Sequence, residues 1–204
     1  MSDVMTRSNT VPVFEYDQLS PEEFDESYYR PQMPVLVRNA ISDWNANHWS
    51  REYFRSCNRD PLVEVQYNGK GIFNPVNDDP ELTKPQRFYT RFSKAADLIY
   101  SPEGDNHYIR QWTSDKWPEL ADDIKRPRQL GTDKSIIVTN FWLGGRSCKT
   151  PLHYDRPDNF LIQVKGHKRL AMFRPAHHDN VYPALDTHMP FMSALRPTKP
   201  SSST

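Results

Sequence analysis

Two residues in the second half of the chain are of metal-binding type and stand at a spacing that brings them together. In Thr150-Pro-Leu-His-Tyr-Asp155, His153 and Asp155 are two positions apart. In an extended strand such positions project to one face. An imidazole and a carboxylate that converge in this way supply two of the three positions of a two-histidine, one-carboxylate face, the arrangement that suits non-haem Fe(II). Three residues of common type are a weak pattern alone, and a surface aspartate beside a half-buried histidine is the plainer reading of the triplet. The context adds weight. The pair follows a proline, comes soon after a strongly β-prone run, and leads into further extended sequence that could hold it rigidly.

Lys168 is the second chemical element. Asn159-Phe-Leu-Ile-Gln-Val164 and Lys168-Arg-Leu-Ala-Met-Phe173 flank Gly166-His167, the composition of a hairpin with a type II′ turn. An Fe(II) oxygenase that consumes 2-oxoglutarate needs a cation for the distal carboxylate, and a lysine or arginine provides it. Thr150 is placed to add a hydroxyl. Alternation groups Lys168 with Leu170 and Met172, and Arg169 with Ala171 and Phe173. Either face can be the inner one, so the pattern leaves open which cation points inward. A solvated lysine after a turn is the plain alternative. Asn159 is either a hydrogen-bonding group beside the metal or an ordinary residue at a strand start.

The elements that must position these groups follow from local signals. Val11-Pro-Val-Phe14 is an extended entry. Ser20 with Pro21 and two acids begins a short helix that ends near Tyr28-Tyr29. Val35-Leu-Val37 reads as a strand and Ser50 as the cap of a helix over Arg51 to Ser56. Pro61 to Tyr67 alternates like a half-buried strand and Asn68-Gly69 is a turn. Gly71-Ile-Phe73 is a candidate edge strand. Phe88, Phe92, Ala95, Ala96 and Ile99 recur at helical spacing, which predicts a helix over Tyr89 to Tyr100 with an aromatic core stripe. His107 to Arg110 is a short strand, residues 119–131 a helix then a loop, and Ser135 to Leu143 the most β-prone run.

Composition bounds the class. The chain has 204 residues, 26 Lys+Arg balanced by 26 Asp+Glu, and 25 aromatic rings that can build a core despite only 36% hydrophobic residues. Zero net charge gives no general case for a nucleic-acid or membrane partner. The two cysteines, Cys57 and Cys148, have no metal-ligand spacing and read as reduced thiols. A polar start and the lack of a long apolar run predict a soluble cytoplasmic or nuclear protein.

The stretch from Thr150 to Pro175 resembles the cupin-like JmjC hydroxylase family, in particular the group with the asparaginyl hydroxylase of hypoxia-inducible factor and the tRNA wybutosine hydroxylase. Thr150-Pro-x-His-Tyr-Asp155, Asn159-Phe-Leu-Ile-Gln-Val-Lys-Gly-His-Lys168-Arg and Met172-Phe-Arg-Pro175 carry the resemblance in order. Val11-Pro-Val-Phe14, Pro34-Val-Leu-Val37 with Trp44, and Tyr108-Ile-Arg110 extend it weakly over the N-terminal half. The resemblance implies that His153 and Asp155 are the first two iron ligands, that Thr150 and Lys168 grip 2-oxoglutarate, and that Asn159 lines the site. It implies hydroxylation of a protein side chain or a modified RNA base.

The sequence departs from that family after the hairpin. The family places its second iron-binding histidine several strands on, in a Pro-x-x-Trp-x-His segment, whereas 49 residues follow Asp155 here and none forms such a segment. His177, His178 and His188 are candidates to replace it, and a solvated loop histidine is the plainer reading of each. The expected fold is α+β, mainly β: a cupin-type double-stranded β-helix, or jelly roll, left incomplete and carrying an N-terminal helical layer. The expected organisation is a flexible start over 1–10, a cupin-like JmjC domain over 11–183 without its C-terminal strands, and a disordered tail over 184–204. The expected function is an Fe(II)- and 2-oxoglutarate-dependent dioxygenase homologue without competent turnover. The alternative is a non-catalytic interaction or regulatory protein. Half a jelly roll exposes strand edges and an apolar face, which implies a partner chain or a second copy at the open β-edge. A metal-free ligand-binding cupin would leave Thr150 and Lys168 unexplained.

Overall fold

The computed structural model describes residues 11–73, 85–174 and 176. In chain order the elements are β1 (Val13–Glu15), α1 (Pro21–Phe24), β2 (Leu36–Arg38), α2 (Arg51–Ser56), β3 (Leu62–Tyr67), β4 (Gln86–Arg91), α3 (Phe92–Ile99), β5 (His107–Thr113), α4 (Pro118–Asp122) and β6 (Asn140–Gly144). They form two compact units, one from residues 11–48 and 118–139, the other from 49–73, 85–117 and 140–174 with 176. No helix among the described residues is long and apolar enough to cross a membrane.

In the first unit β1 and β2 pair in parallel, Val13 opposite Leu36. The Ser20 hydroxyl accepts from the Glu23 N–H at 3.1 Å, which satisfies one of the unpaired donors at the start of α1. A single π-helical turn, Asp25–Tyr29, continues that helix, as the Ser20-Pro21 signal and the Tyr28-Tyr29 end predict. Leu19 is fully buried. The buried Gln129 amide points at the Tyr16 and Leu19 carbonyls from 3.4 Å each. Lys134 closes on Asp25 at 2.6 Å and lies over the Tyr29 ring. The Lys134 hydrogen bond, then that of Arg30, lowers the Asp25 pKa.

The second unit carries a four-stranded antiparallel sheet in the order β4-β3-β5-β6. β5 has one extra residue between Ile109 and Trp112, because Ile109 faces Leu143 while Trp112 faces Phe141. That bulge rephases the strand. Ile109 and Trp112 thereby share the side that packs on α3, while Tyr108 is left on the other. The core on the α3 side is aromatic. Trp117 is fully buried and meets Phe92 at 4.7 Å and Trp112 at 5.5 Å between ring centroids. Phe54 of α2 meets Phe92 edge-on at 5.0 Å, the geometry ring quadrupoles favour. Arg51 and Arg55 of α2 both reach Asp97 of α3.

Four sequence expectations need correction. The helix expected over Tyr89 to Tyr100 begins only at Phe92, and Phe88 to Arg91 belong to β4. The β-prone Phe-Tyr-Thr run pairs with β3, and Tyr89 donates to Glu64 Oε2 at 3.0 Å; pairing outweighs the coincidental spacing of Phe88 and Phe92. The run Ser135 to Leu143 is strand only from Asn140, because its partner β5 ends at Thr113, opposite Asn140. Ile136, Ile137 and Val138 are exposed. Gly71-Ile-Phe73 is a buried inner segment with a single parallel bridge from Ile72 to Lys149, instead of an edge strand. Finally, Asn159 to Val164 and Lys168 to Phe173 form no hydrogen-bonded hairpin, although Gly166 has the positive φ of +75° that the turn requires. Leu161, Leu170, Met172 and Phe173 stay exposed, and a two-stranded ladder without a covered face gains little.

Candidate functional site

The approach to His153 is pinned by the sheet. The Lys149 N–H donates to the Gly71 carbonyl at 2.7 Å and the Phe73 N–H donates to the Lys149 carbonyl at 2.9 Å. Gly71 needs to be glycine, since its φ is +67° and a Cβ would collide with the Ser147 carbonyl. Gly145 lies against the Gly104 carbonyl so closely that a Cβ has no room. Pro151 is buried. Thr150 therefore leaves the sheet from a fixed point, on the side that carries Tyr108.

That side holds a row of four residues, one from each strand: Arg87 opposite Gln66, Gln66 opposite Tyr108, Tyr108 opposite Gly144. Gly144 leaves room for the Tyr108 ring, whose Cδ2 would stand 2.9 Å from a Cβ there. The ring packs 5.0 Å from Phe73. The Thr150 side chain lies beside the Tyr108 phenol, whose pKa burial pushes up to about 12. Cys148 beside it donates to the His107 carbonyl at 3.2 Å, and burial pushes the thiol up to about 11. Neither Cys57 nor Cys148 is in a disulfide. One register step along the sheet, Glu64 accepts from Gln66 at 2.9 Å and from Tyr89, with Arg87 at 3.8 Å.

The structure brings His153, Asp155 and Asn159 together. His153 Nδ1 lies 2.8 Å from the Pro151 carbonyl. A carbonyl only accepts, so Nδ1 carries a proton there, which leaves Nε2 as the ring nitrogen that can ligate a metal. Nε2 faces Asp155 Oδ1 at 3.9 Å. The other carboxylate oxygen, Oδ2, accepts from the Asn159 amide at 3.1 Å. Thus each of the two metal-type side chains uses one polar atom on a protein partner and turns its remaining atom toward the other.

This donor set fits two positions of an iron site. Two donors at right angles about a metal, each about 2.1 Å from it, stand about 3 Å apart. Closing the observed gap takes about 1 Å, a small side-chain rotation. A carbonyl that fixes the histidine tautomer is the usual support of a metal-bound imidazole. Among the described residues no cluster of three or more His, Cys, Asp or Glu side chains is present. His177, His178 and His188 lie outside the described residues. Thr150 meets Tyr108, whereas Lys168 is exposed and makes no ion pair among the described residues. The sequence reading gave Tyr108 a strand position and a place in the weak N-terminal resemblance, but no role in the site. Its partnership with Thr150 spans 42 residues and has no local signal.

Residues 21–204 match the model of the family described as Cupin-like domain. JmjC domain-containing protein D of Dictyostelium discoideum is 26% identical over 195 residues, covering 86% of this chain and 42% of that protein. Lysine-specific demethylase 8 of Danio rerio is 27% identical over 170 residues, covering 80% of this chain and 40% of that protein. The human bifunctional peptidase and (3S)-lysyl hydroxylase JMJD7 is 26% identical over 169 residues, covering 77% and 52%. The matches thus span about two fifths to one half of the length of these relatives. The chain belongs to the cupin-like domain family and is similar to its JmjC domain-containing members.

Proposed function

We propose that His153 and Asp155 are two ligands of an Fe(II) ion, that Thr150 and Lys168 receive the distal carboxylate of 2-oxoglutarate, and that Asn159 borders the same site. When bound, iron and 2-oxoglutarate supply oxidative chemistry: O2 is consumed, 2-oxoglutarate becomes succinate and CO2, and a substrate C–H becomes C–OH. The observation that carries the reading is the His153 ring, fixed at Nδ1 by the Pro151 carbonyl so that Nε2 faces Asp155. In this reading the Tyr108 phenol, beside the Thr150 side chain, helps to orient that anchor of the carboxylate. Lys168, on the exposed segment, closes on that carboxylate from the other side as a charge-assisted donor. The demethylase and lysyl hydroxylase names of the relatives favour a protein side chain over an RNA base as substrate. A cytosolic or nuclear setting, where thiols stay reduced, belongs to the same proposal.

The polypeptide made from these 204 residues alone does not turn over in this reading. Among the described residues His153 and Asp155 are the two candidate ligands, and two fall short of the usual three. The test is succinate release from 2-oxoglutarate with Fe(II), ascorbate and O2. No release above the Asp155→Ala background is expected. Robust release that vanishes in Asp155→Ala overturns the statement on turnover and reveals a third ligand. A second reading, a non-catalytic interaction protein, draws on the exposed Leu161, Leu170, Met172 and Phe173. Such a row of apolar side chains calls for a cover, which a partner chain or second copy would provide.

A further inference from the structure

Asn159 donates to Asp155 Oδ2 while Asp155 Oδ1 faces His153, and from this we infer that Asn159 is a positioning residue that holds the Asp155 carboxylate for one-oxygen donation to a divalent cation. The inference rests on the metal site proposed above and gives Asn159 a different task from contact with the cosubstrate. A carboxylate is free to present either oxygen, or both, to a cation. Here one oxygen is occupied by an amide N–H at 3.1 Å. Only Oδ1 is left directed at the point that His153 Nε2 also faces. The His153 ring is fixed by the same device, with Nδ1 on the Pro151 carbonyl. The two ligands are therefore each tied at the atom that does not bind, and each tie lies within four residues of its ligand.

The local sequence explains why the tie forms. Asp155-Arg-Pro-Asp-Asn159 contains a proline at its centre, and proline's fixed φ makes a compact reversal easy to hold. The reversal brings position 159 back to position 155. Asparagine is suited to the place because its amide donates without adding charge. Aspartate, of the same shape, cannot donate and would repel Asp155. An ordinary loop staple would look the same in the metal-free protein, so the distinction lies in what happens to cation affinity.

The experiment is a titration of the 204-residue chain with Mn(II), followed by loss of the free-ion EPR signal, for the wild type, Asn159→Ala, Asn159→Asp and His153→Ala. Thermal unfolding of each metal-free variant is recorded alongside. The expected result is one site in the wild type, lost in His153→Ala, and weakened about 10- to 100-fold in both Asn159 variants with unchanged metal-free unfolding midpoints. Unaltered affinity in Asn159→Ala overturns the inference and leaves the metal site standing. Tighter binding in Asn159→Asp also overturns it, since position 159 would then touch the ion. A lowered metal-free midpoint with unaltered affinity marks a plain loop staple and overturns it too. A wild type that takes up no Mn(II) overturns the proposed site and this inference together.

Discussion

His153 Nε2 stands 3.9 Å from Asp155 Oδ1, with the far side of each group already engaged, by the Pro151 carbonyl and the Asn159 amide. The pair needs no extended ladder to form, because His153 sits at an isolated bridge position and the residues after it belong to no strand. Local hydrogen bonds do the orienting that a sheet was expected to do.

The cosubstrate anchor can be tested at the two cations after the turn. Lys168→Ala is expected to weaken 2-oxoglutarate binding about 10- to 100-fold, the loss of one charge-assisted contact. Arg169→Ala is expected to leave it unchanged. Calorimetric titration of the Mn(II)-loaded protein with 2-oxoglutarate checks both. Equal losses, or a loss only in Arg169→Ala, would show that the other cation faces the site.

Alkaline stability should report on the buried pair behind Thr150. Tyr108 is raised from 10.0 to about 12 and Cys148 from 9.0 to about 11, both chiefly by burial. Each group holds its proton more tightly folded than unfolded. Their contribution is therefore complete below pH 9, and is lost as pH rises, through the thiol first and the phenol last. The Tyr108 share is roughly 2–3 kcal/mol. Denaturant midpoints should fall between pH 9 and 12. Tyr108→Phe should flatten the upper part of that fall and Cys148→Ala the lower part. A midpoint that does not change over this range would contradict the burial of both.

Gly145→Ala should destabilise the protein by roughly 2–3 kcal/mol, because the new methyl meets the Gly104 carbonyl and backbone must move. Gly69→Ala, whose Cβ would meet only the Tyr67 hydroxyl at 3.6 Å, should change stability far less. Urea unfolding of the two variants makes the comparison. Equal, small effects would mean that Gly104 and Gly145 can part freely.

Much of this arrangement was legible in the sequence. The Ser20 and Ser50 caps, the alternation of β3 and the turn at Asn68 all formed as local chemistry dictates, with Ser50 accepting from Tyr53 N–H at 3.1 Å. The family was legible from the dense run between Thr150 and Pro175, and the family match over residues 21–204 bears it out. What failed depended on partners distant in sequence. Phe88 reads as helical until Glu64 and Val65 are known to lie beside β4. Ile136 to Val138 read as strand until β5 is seen to stop at Thr113. The approach of Thr150 to Tyr108, and the choice of a Pro151 carbonyl for His153, are contacts of geometry that residue types do not announce. His153, Asp155 and Asn159 were singled out as residues. The division of labour among their atoms was not.

Anaerobic calorimetric titration of the chain with Fe(II) tests the metal pair most directly. Binding of one ion per chain that disappears in both His153→Ala and Asp155→Ala, with each variant folded by circular dichroism, is the predicted result. A wild type that binds no Fe(II), or variants that bind it as tightly as the wild type, would contradict the assignment of His153 and Asp155 as ligands.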